Sequence, residues 1–264
     1  MRASVDIAGL EIAYERAGAG PPLVLLHGAM ADGRMWRPQL EGLSDRLTVI
    51  AWDEPGAGGS VDPPADFGLP DYADALAGLI GALGFDSAHV GGLSWGGVVA
   101  LELYRRDPDR VASLILADTY AGWKGSLPEA ECDQRLAHAI EQSELPPERF
   151  EPTLPGLLGP GAPAPVADAL AAIMAEARPE SMRRTAVAIA ACDQCDLLPL
   201  IAVPTLLIWG EDDVRSPLLV AEQFRAAIPG ARLVLIPEAG HMTNLEQPAL
   251  FNDAVREFCP TVQP

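Results

Sequence analysis

Six short stretches, residues 23–26, 47–52, 88–93, 113–117, 205–209 and 232–236, are largely apolar runs that end in turn-forming residues. A strand with one wet face alternates polar and apolar side chains. Runs without that alternation suit strands covered on both faces, as in a parallel sheet. Helical spacing lies between them. Residues 72–83 carry Ala73, Leu76, Ala77 and Ile80 and stop at Gly84. Residues 96–106, 217–228 and 251–258 also read as helices, and Pro229-Gly230 closes the one ending at 228. Residues 4–7 and 10–16 alternate more, around Gly9, and predict a hairpin at a sheet edge. Strand, helix and strand repeated in this way require an open α/β fold with a mostly parallel central sheet flanked by helices.

The rhythm breaks between about 123 and 199. Helical pieces at 129–142 and 166–177, the second continuing to about 191, flank a proline-rich stretch at 145–165, and no strand is evident. This predicts an inserted helical cap over 123–198, between a first core part at 1–122 and a second at 199–264. A chain of 264 residues can bury such a core without disulfides or metals.

Charge narrows the partners. Against 18 basic side chains stand 37 acidic ones, a net charge of −19. Such a surface repels phosphate backbones and anionic lipid, which argues against nucleic-acid or membrane binding and for a small-molecule substrate. No run approaches 18 apolar residues, and residues 1–16 lack the apolar core of a secretory leader, so a cytoplasmic protein is expected. Four cysteines at irregular spacing make no disulfide framework. The lone Cys192-x-x-Cys195 pair is expected to pack on a helix, with no metal.

Gly92-Leu93-Ser94-Trp95-Gly96 follows a predicted strand and opens a helix. A serine at such a corner must adopt a strained backbone to project its hydroxyl above the sheet edge. Small residues two positions either side let strand and helix pass closely. The Trp95 N–H then lies at a helix N-terminus, facing a developing oxyanion. A serine hydroxyl needs a base. Among His27, His89, His138 and His241, the last follows the final predicted strand, at the rim where open α/β sheets build their sites. His89 should pack at the far end of its strand, His27 should support its loop, and His138 should lie on a solvated cap helix. The base needs an orienting acid, and Glu211, Asp212 and Asp213 compete after the strand at 205–209. Asp118, after the strand at 113–117, is a separate candidate acid that reads more readily as a helix or turn cap. Gly28 permits close approach, and the Ala29 N–H is a candidate second oxyanion donor. Asp53-x-x-Gly56-x-Gly58-x-Ser60 lacks the ending of a nucleotide loop and reads as a structural turn.

Together these motifs resemble the α/β-hydrolase superfamily. They run from His27-Gly28 through the Asp53–Ser60 turn, the Ser94 elbow and Gly210-x-x-Asp213-x-x-x-Pro217 to Gly240-His241-x-x-x-x-Glu246-x-Pro248. The resemblance implies the α/β-hydrolase fold, with Ser94 as nucleophile, Asp213 as orienting acid and His241 as base. It further implies that the amides of Ala29 and Trp95 form the oxyanion hole and that no cofactor is needed. The chain is most similar to cap-bearing esterases, lactonases of the enol-lactonase type and carbon–carbon hydrolases. A serine at 94 argues against the dehalogenases and epoxide hydrolases that carry aspartate there. Pro55-Gly56-Ala57-Gly58 and Ala29-Met30-Ala31-Asp32 depart from the usual loops. The implied activity is hydrolysis of a small, largely apolar ester or lactone through an acyl-enzyme. Alternatives are carbon–carbon hydrolysis, a cofactor-free perhydrolase, or a hydrolase-fold ligand receptor. Met30, Trp36 and Trp123 are candidate pocket residues, and Arg34, Arg183 and Arg184 are candidate local cations. Oligomeric state is not legible.

Overall fold

The computed structural model describes residues 1–146, 149 and 155–259. All eight expected strands form in it: β1 (Arg2–Ile7), β2 (Leu10–Ala17), β3 (Pro22–Leu26), β4 (Thr48–Trp52), β5 (Ala88–Leu93), β6 (Val111–Ala117), β7 (Thr205–Gly210) and β8 (Arg232–Ile236). They make one sheet in the order β1-β2-β4-β3-β5-β6-β7-β8. β2 runs antiparallel to β1 and β4, and the remaining pairs are parallel. Every residue of β3, β4, β5 and β7 is buried, as expected of a sheet covered on both faces. β8 differs. Its register pairs it with β7 alone, and it is only partly covered, with Leu235 exposed.

The order sets the position of the site. From β3 the sheet grows to β4 on one side and β5 on the other, which is a topological switch point. Leu26 pairs with Gly92 and Leu93 with Ala117, so the loops leaving β3, β5 and β6 emerge together. The loops leaving β7 and β8 join them, since Gly210 pairs with Ile236.

The predicted helices form, with shifted ends, as α2 (Leu69–Ala82), α3 (Trp95–Arg106), α8 (Leu218–Ala227) and α10 (Pro248–Phe258). A helical turn at Gly33–Trp36 runs into α1 (Arg37–Leu43), which periodicity did not reveal because Pro38 and Gly42 interrupt its short pattern. The Asp53 turn is structural, as expected. One carboxylate oxygen accepts from the Gly33 N–H at 2.8 Å and the other from Gly59 N–H at 2.8 Å and Arg2 at 3.0 Å.

Between β6 and β7 lie α4 (Trp123–Ser126), α5 (Glu129–Ser143), α6 (Ala164–Met174) and α7 (Pro179–Ala191), with no strand among the described residues. The single helix expected from 166 to 191 is broken. Pro179 excludes helical backbone at Arg178, which is extended at φ −87 and ψ 127. Part of the proline-rich stretch, residues 147, 148 and 150–154, lies outside the described residues. The departing and returning chains meet where Gln194 N–H donates to the Ala121 carbonyl at 2.9 Å. Gly122 must be glycine there, because φ is +75 and a Cβ would overlap the Cys192 carbonyl. Cys192 and Cys195 sit in this turn, after α7 rather than on it, and all four cysteines are free. Among the described residues no cluster of three or more His, Cys, Asp or Glu is placed to hold a metal, and no helix is long and apolar enough to cross a membrane.

Candidate active site

Ser94 alone turns the chain between β5 and α3, at φ 55 and ψ −118. A non-glycine residue there carries strain of about 1–3 kcal/mol and persists only where its surroundings over-determine it. They do so here. The Ser94 N–H donates to the Ala117 carbonyl at 3.0 Å, and the Thr119 hydroxyl donates to the Ser94 carbonyl at 2.5 Å. A Cβ on Gly92 would overlap the Gly96 backbone, and one on Gly96 would overlap the Leu26 carbonyl. Gly28 is different. A Cβ there would make only ordinary contact with Leu93 and Ser94 at 3.5–3.6 Å, so the expected close approach does not require glycine. In that loop the left-handed position is Met30, at φ 64.

Of the three competing acids, Glu211 and Asp212 are exposed and Asp213 is buried. Asp213 Oδ1 accepts from the N–H groups of Arg215 and Ser216 at 2.8 and 2.9 Å, and Oδ2 faces His241 Nδ1 at 2.8 Å. A carboxylate that only accepts puts the proton on Nδ1, which leaves Nε2 free to act as a base. The His241 loop is tied down by the buried Glu246. Its carboxylate accepts from the N–H groups of Gly240 (3.0 Å), Met242 (3.2 Å) and Gly159 (2.8 Å). Asp118 is not the cap that was expected. It is fully buried and accepts from Gly210 N–H at 2.9 Å and the Thr243 hydroxyl at 2.5 Å, so it joins the acid loop to the His241 loop. Burial, then the neighbouring Asp213, pushes its carboxyl well above the usual range.

Ser94, Trp95, Ala29, Met30, Trp123 and His241 line one cavity of about 110 Å³. Leu157, Leu170, Met174, Met182 and Ile189 from the inserted segment close it over. Trp95 is the first residue of α3, so its N–H has no intrahelical acceptor. Its indole donates to Glu54 Oε2 at 2.6 Å. Trp36 is not a pocket residue. It is 0% exposed and packs on Phe251 at 5.9 Å, within the core. His27 supports its loop as expected, through the Gly28 carbonyl at 2.9 Å and the Glu54 N–H at 3.1 Å. His89 is buried against Ser113 at 2.8 Å. His138 is exposed, as expected of a solvated cap face, and also borders the cavity.

The cations there are not the expected ones. Arg34 is held by Asp32 and Glu176, Arg183 by Glu144, and Arg184 pairs with Glu180. Arg135 and Arg215 line the cavity instead, with Tyr120 between the Arg135 guanidinium and His241. Helical spacing did not reveal which face of α5 turns inward. The only local signal for Arg215 was its place two residues after the acid.

The sequence profile of the Alpha/beta hydrolase family matches residues 23–254. The chain belongs to that family. As an alpha/beta hydrolase it has relatives that align nearly end to end. It is 30% identical to a putative carbamate hydrolase, RutD, of Azorhizobium caulinodans over 94% of this chain and 95% of that one. A malate-bound thermophilic esterase from Thermogutta terrifontis superposes with a TM-score of 0.89 at 34% identity, covering 99% of this chain and 98% of that one. An enol-lactonase from Burkholderia xenovorans superposes at 0.80 with 26% identity, covering 98% of this chain and all (100%) of its own.

Proposed function

We propose that this alpha/beta hydrolase cleaves a carboxylic ester or lactone of a small, largely apolar substrate through an acyl-enzyme on Ser94. The observation that carries the reading is the His241–Asp213 hydrogen bond of 2.8 Å, opening on the cavity that holds the strained Ser94. In this mechanism His241 Nε2 takes the Ser94 proton as the hydroxyl oxygen attacks the carbonyl. Asp213 keeps the ring oriented and stabilises the imidazolium. The N–H groups of Ala29 and Trp95 donate to the tetrahedral oxyanion, each worth roughly 3–4 kcal/mol in comparable sites. His241 then protonates the leaving alcohol, and a water repeats the cycle to release the acid. Met30, Leu93, Trp123, Leu157, Leu170 and Met174 give the cavity an apolar wall suited to a short acyl or alkyl arm.

The test is a p-nitrophenyl ester series from acetate to octanoate, with Ser94→Ala as control. Turnover should fall on the order of 10⁶-fold in kcat, the cost of losing the nucleophile in a comparable triad. Undiminished hydrolysis by Ser94→Ala protein would refute the assignment. A carbamate is the second reading, favoured by the relatives named as putative carbamate hydrolases. Ser94-dependent release of ammonia from a carbamate at rates above those for esters would select it. Carbon–carbon hydrolysis and perhydrolase activity share the same residues and are separated by assay. Tight ligand binding without Ser94-dependent turnover would support a receptor.

A further inference from the structure

Two guanidinium groups line a cavity that also holds Ser94, Tyr120, His138, Thr185 and His241, and among the described residues only one of them is paired with a carboxylate. Arg135, on α5, donates to Glu131 at 2.5 Å, to the Tyr120 hydroxyl at 3.0 Å and to the Arg215 carbonyl at 2.8 Å. Its guanidinium carbon lies 5.7 Å from the ring centres of both Tyr120 and Trp123. It therefore has a structural task, tying α5 to the loop that carries Asp213. Arg215 has much less to do. Its backbone serves Asp213 and Arg135, but among the described residues its side chain makes only a 3.3 Å hydrogen bond to the Pro155 carbonyl. Among the described residues no carboxylate pairs with it, in a chain where acids outnumber bases by 37 to 18.

The charges facing Arg215 can be followed one by one. Arg135 opposes it, and Glu131 neutralises Arg135. Asp213 spends its oxygens on His241 and two backbone N–H groups. Tyr120 is neutral at ordinary pH, since burial pushes its hydroxyl up to about 12. The charges of Arg215, Arg135, Glu131 and Asp213 sum to zero, but among the described residues none of the carboxylates is in ion-pair contact with the Arg215 guanidinium, which lines the cavity. Burial, with Arg135 nearby, pulls the Arg215 pKa down against the opposing pull of Asp213 and Glu131.

We propose that Arg215 is the anion-holding group of this cavity and that the substrate is an ester carrying a carboxylate, a short apolar spacer away from the scissile carbonyl. A guanidinium presents two parallel N–H donors that match a carboxylate. A single guanidinium outside any ion pair suits a monoanion better than a phosphate dianion. The proposal rests on the ester-hydrolase reading for its kinetic test and not for its binding test.

The kinetic test compares matched esters. Mono-4-nitrophenyl glutarate against 4-nitrophenyl butyrate places the carboxylate on the acyl arm. Carboxymethyl butyrate against propyl butyrate places it on the alcohol arm. The readout is the ratio of kcat/KM, charged over neutral. For one of the two pairs that ratio should exceed about 10, carried by KM, and Arg215→Met should lower it about 10- to 100-fold, as expected for losing one partner of a charged hydrogen bond. Arg215→Lys should fall in between, because a point charge lacks the planar fork. Arg215→Gln repeats the comparison if circular dichroism finds Arg215→Met unfolded. No preference in either pair, or a preference that survives neutralisation of Arg215, overturns the proposal. Calorimetry of monomethyl glutarate, a monoanion, on Ser94→Ala protein supplies the independent arm. Binding that disappears in the Ser94→Ala, Arg215→Met double variant supports the site even if no ester is turned over. Absence of binding, or binding indifferent to Arg215, overturns it and leaves the Ser94 assignment standing.

Discussion

The elbow has two kinds of steric demand that one residue cannot meet. Ser94 must carry a side chain in a left-handed backbone conformation, and Gly96 must carry none. Gly96 is helical, so its glycine is there for space and not for φ. A Cβ at 96 meets the Leu26 and His27 carbonyls, which are backbone atoms at the end of a central strand and cannot swing aside. Gly96→Ala should therefore destabilise the fold by about 1–3 kcal/mol, the usual cost of overpacking. It should also lower kcat, since the displaced backbone leads directly into Ala29. Urea denaturation with steady-state rates checks both, and an unaltered midpoint would show that the corner has slack.

At the level of elements, the His241 loop is held by Glu246 on one side and by Asp118, through Thr243, on another. Glu246 opens no strand and caps no long helix. It gathers N–H groups from residues 240, 242 and 159, and so fastens the loop after β8 to the inserted segment. Glu246→Gln keeps the size but turns one end into a donor facing donors. The expected loss is about 2–3 kcal/mol, since hydrogen bonds to charged groups carry more than neutral ones. kcat should fall with it while KM changes little, because the apolar wall is made by other residues. A denaturation midpoint and kcat equal to those of the parent would refute this. Periodicity did not reveal such a role, because Glu246 sits in α9 (Thr243–Glu246), too short to have a pattern. Its place in the Gly240–Pro248 motif was the only signal.

Across the whole molecule, two buried groups give stability opposite pH slopes. Burial pushes the Glu54 carboxyl from 4.5 up to about 7, against the opposing pull of His27 and the Trp95 hydrogen bond. Between those values the folded state holds a proton the unfolded chain has released. Its contribution is present in full below about 4.5 and is lost as pH rises through 7. Burial pushes the His89 imidazole from 6.5 down to about 4, so between those values the unfolded chain holds the extra proton. That contribution is present above 6.5 and is lost as pH falls through 4. At 1.36 kcal/mol per pH unit each is on the order of 3 kcal/mol, and between about 4.5 and 6.5 they oppose each other. Relative to the parent, Glu54→Gln should make unfolding free energy rise more steeply with pH in that window, and His89→Asn should make it fall. Urea titrations at several pH values read the slopes, and parallel curves for all three proteins would contradict the assignment.

Much of this was legible in the sequence, for a physical reason. The eight strands follow from local pattern, because a strand covered on both faces is largely apolar, as in β3 to β7, and an edge hairpin alternates, as in β1 and β2. The Ser94 elbow and the rim position of His241 follow from demands that act within a few residues, whereas the choice of Asp213 over Glu211 and Asp212 came only from the family resemblance; the parallel order carries these loops to one rim. What sequence did not reach depends on which faces meet. Trp36 and Trp123 are chemically alike, yet the first fills the core beside Phe251 and the second lines the cavity. Arg135 is brought to Tyr120 and to the Arg215 carbonyl by the return of the inserted segment onto the rim, across 80 residues of chain in the second case. Local sequence sets the strand, the turn and the backbone strain. Only tertiary packing sets the cavity wall and which cations line it, because burial and electrostatic pairing are properties of surfaces that distant segments make together.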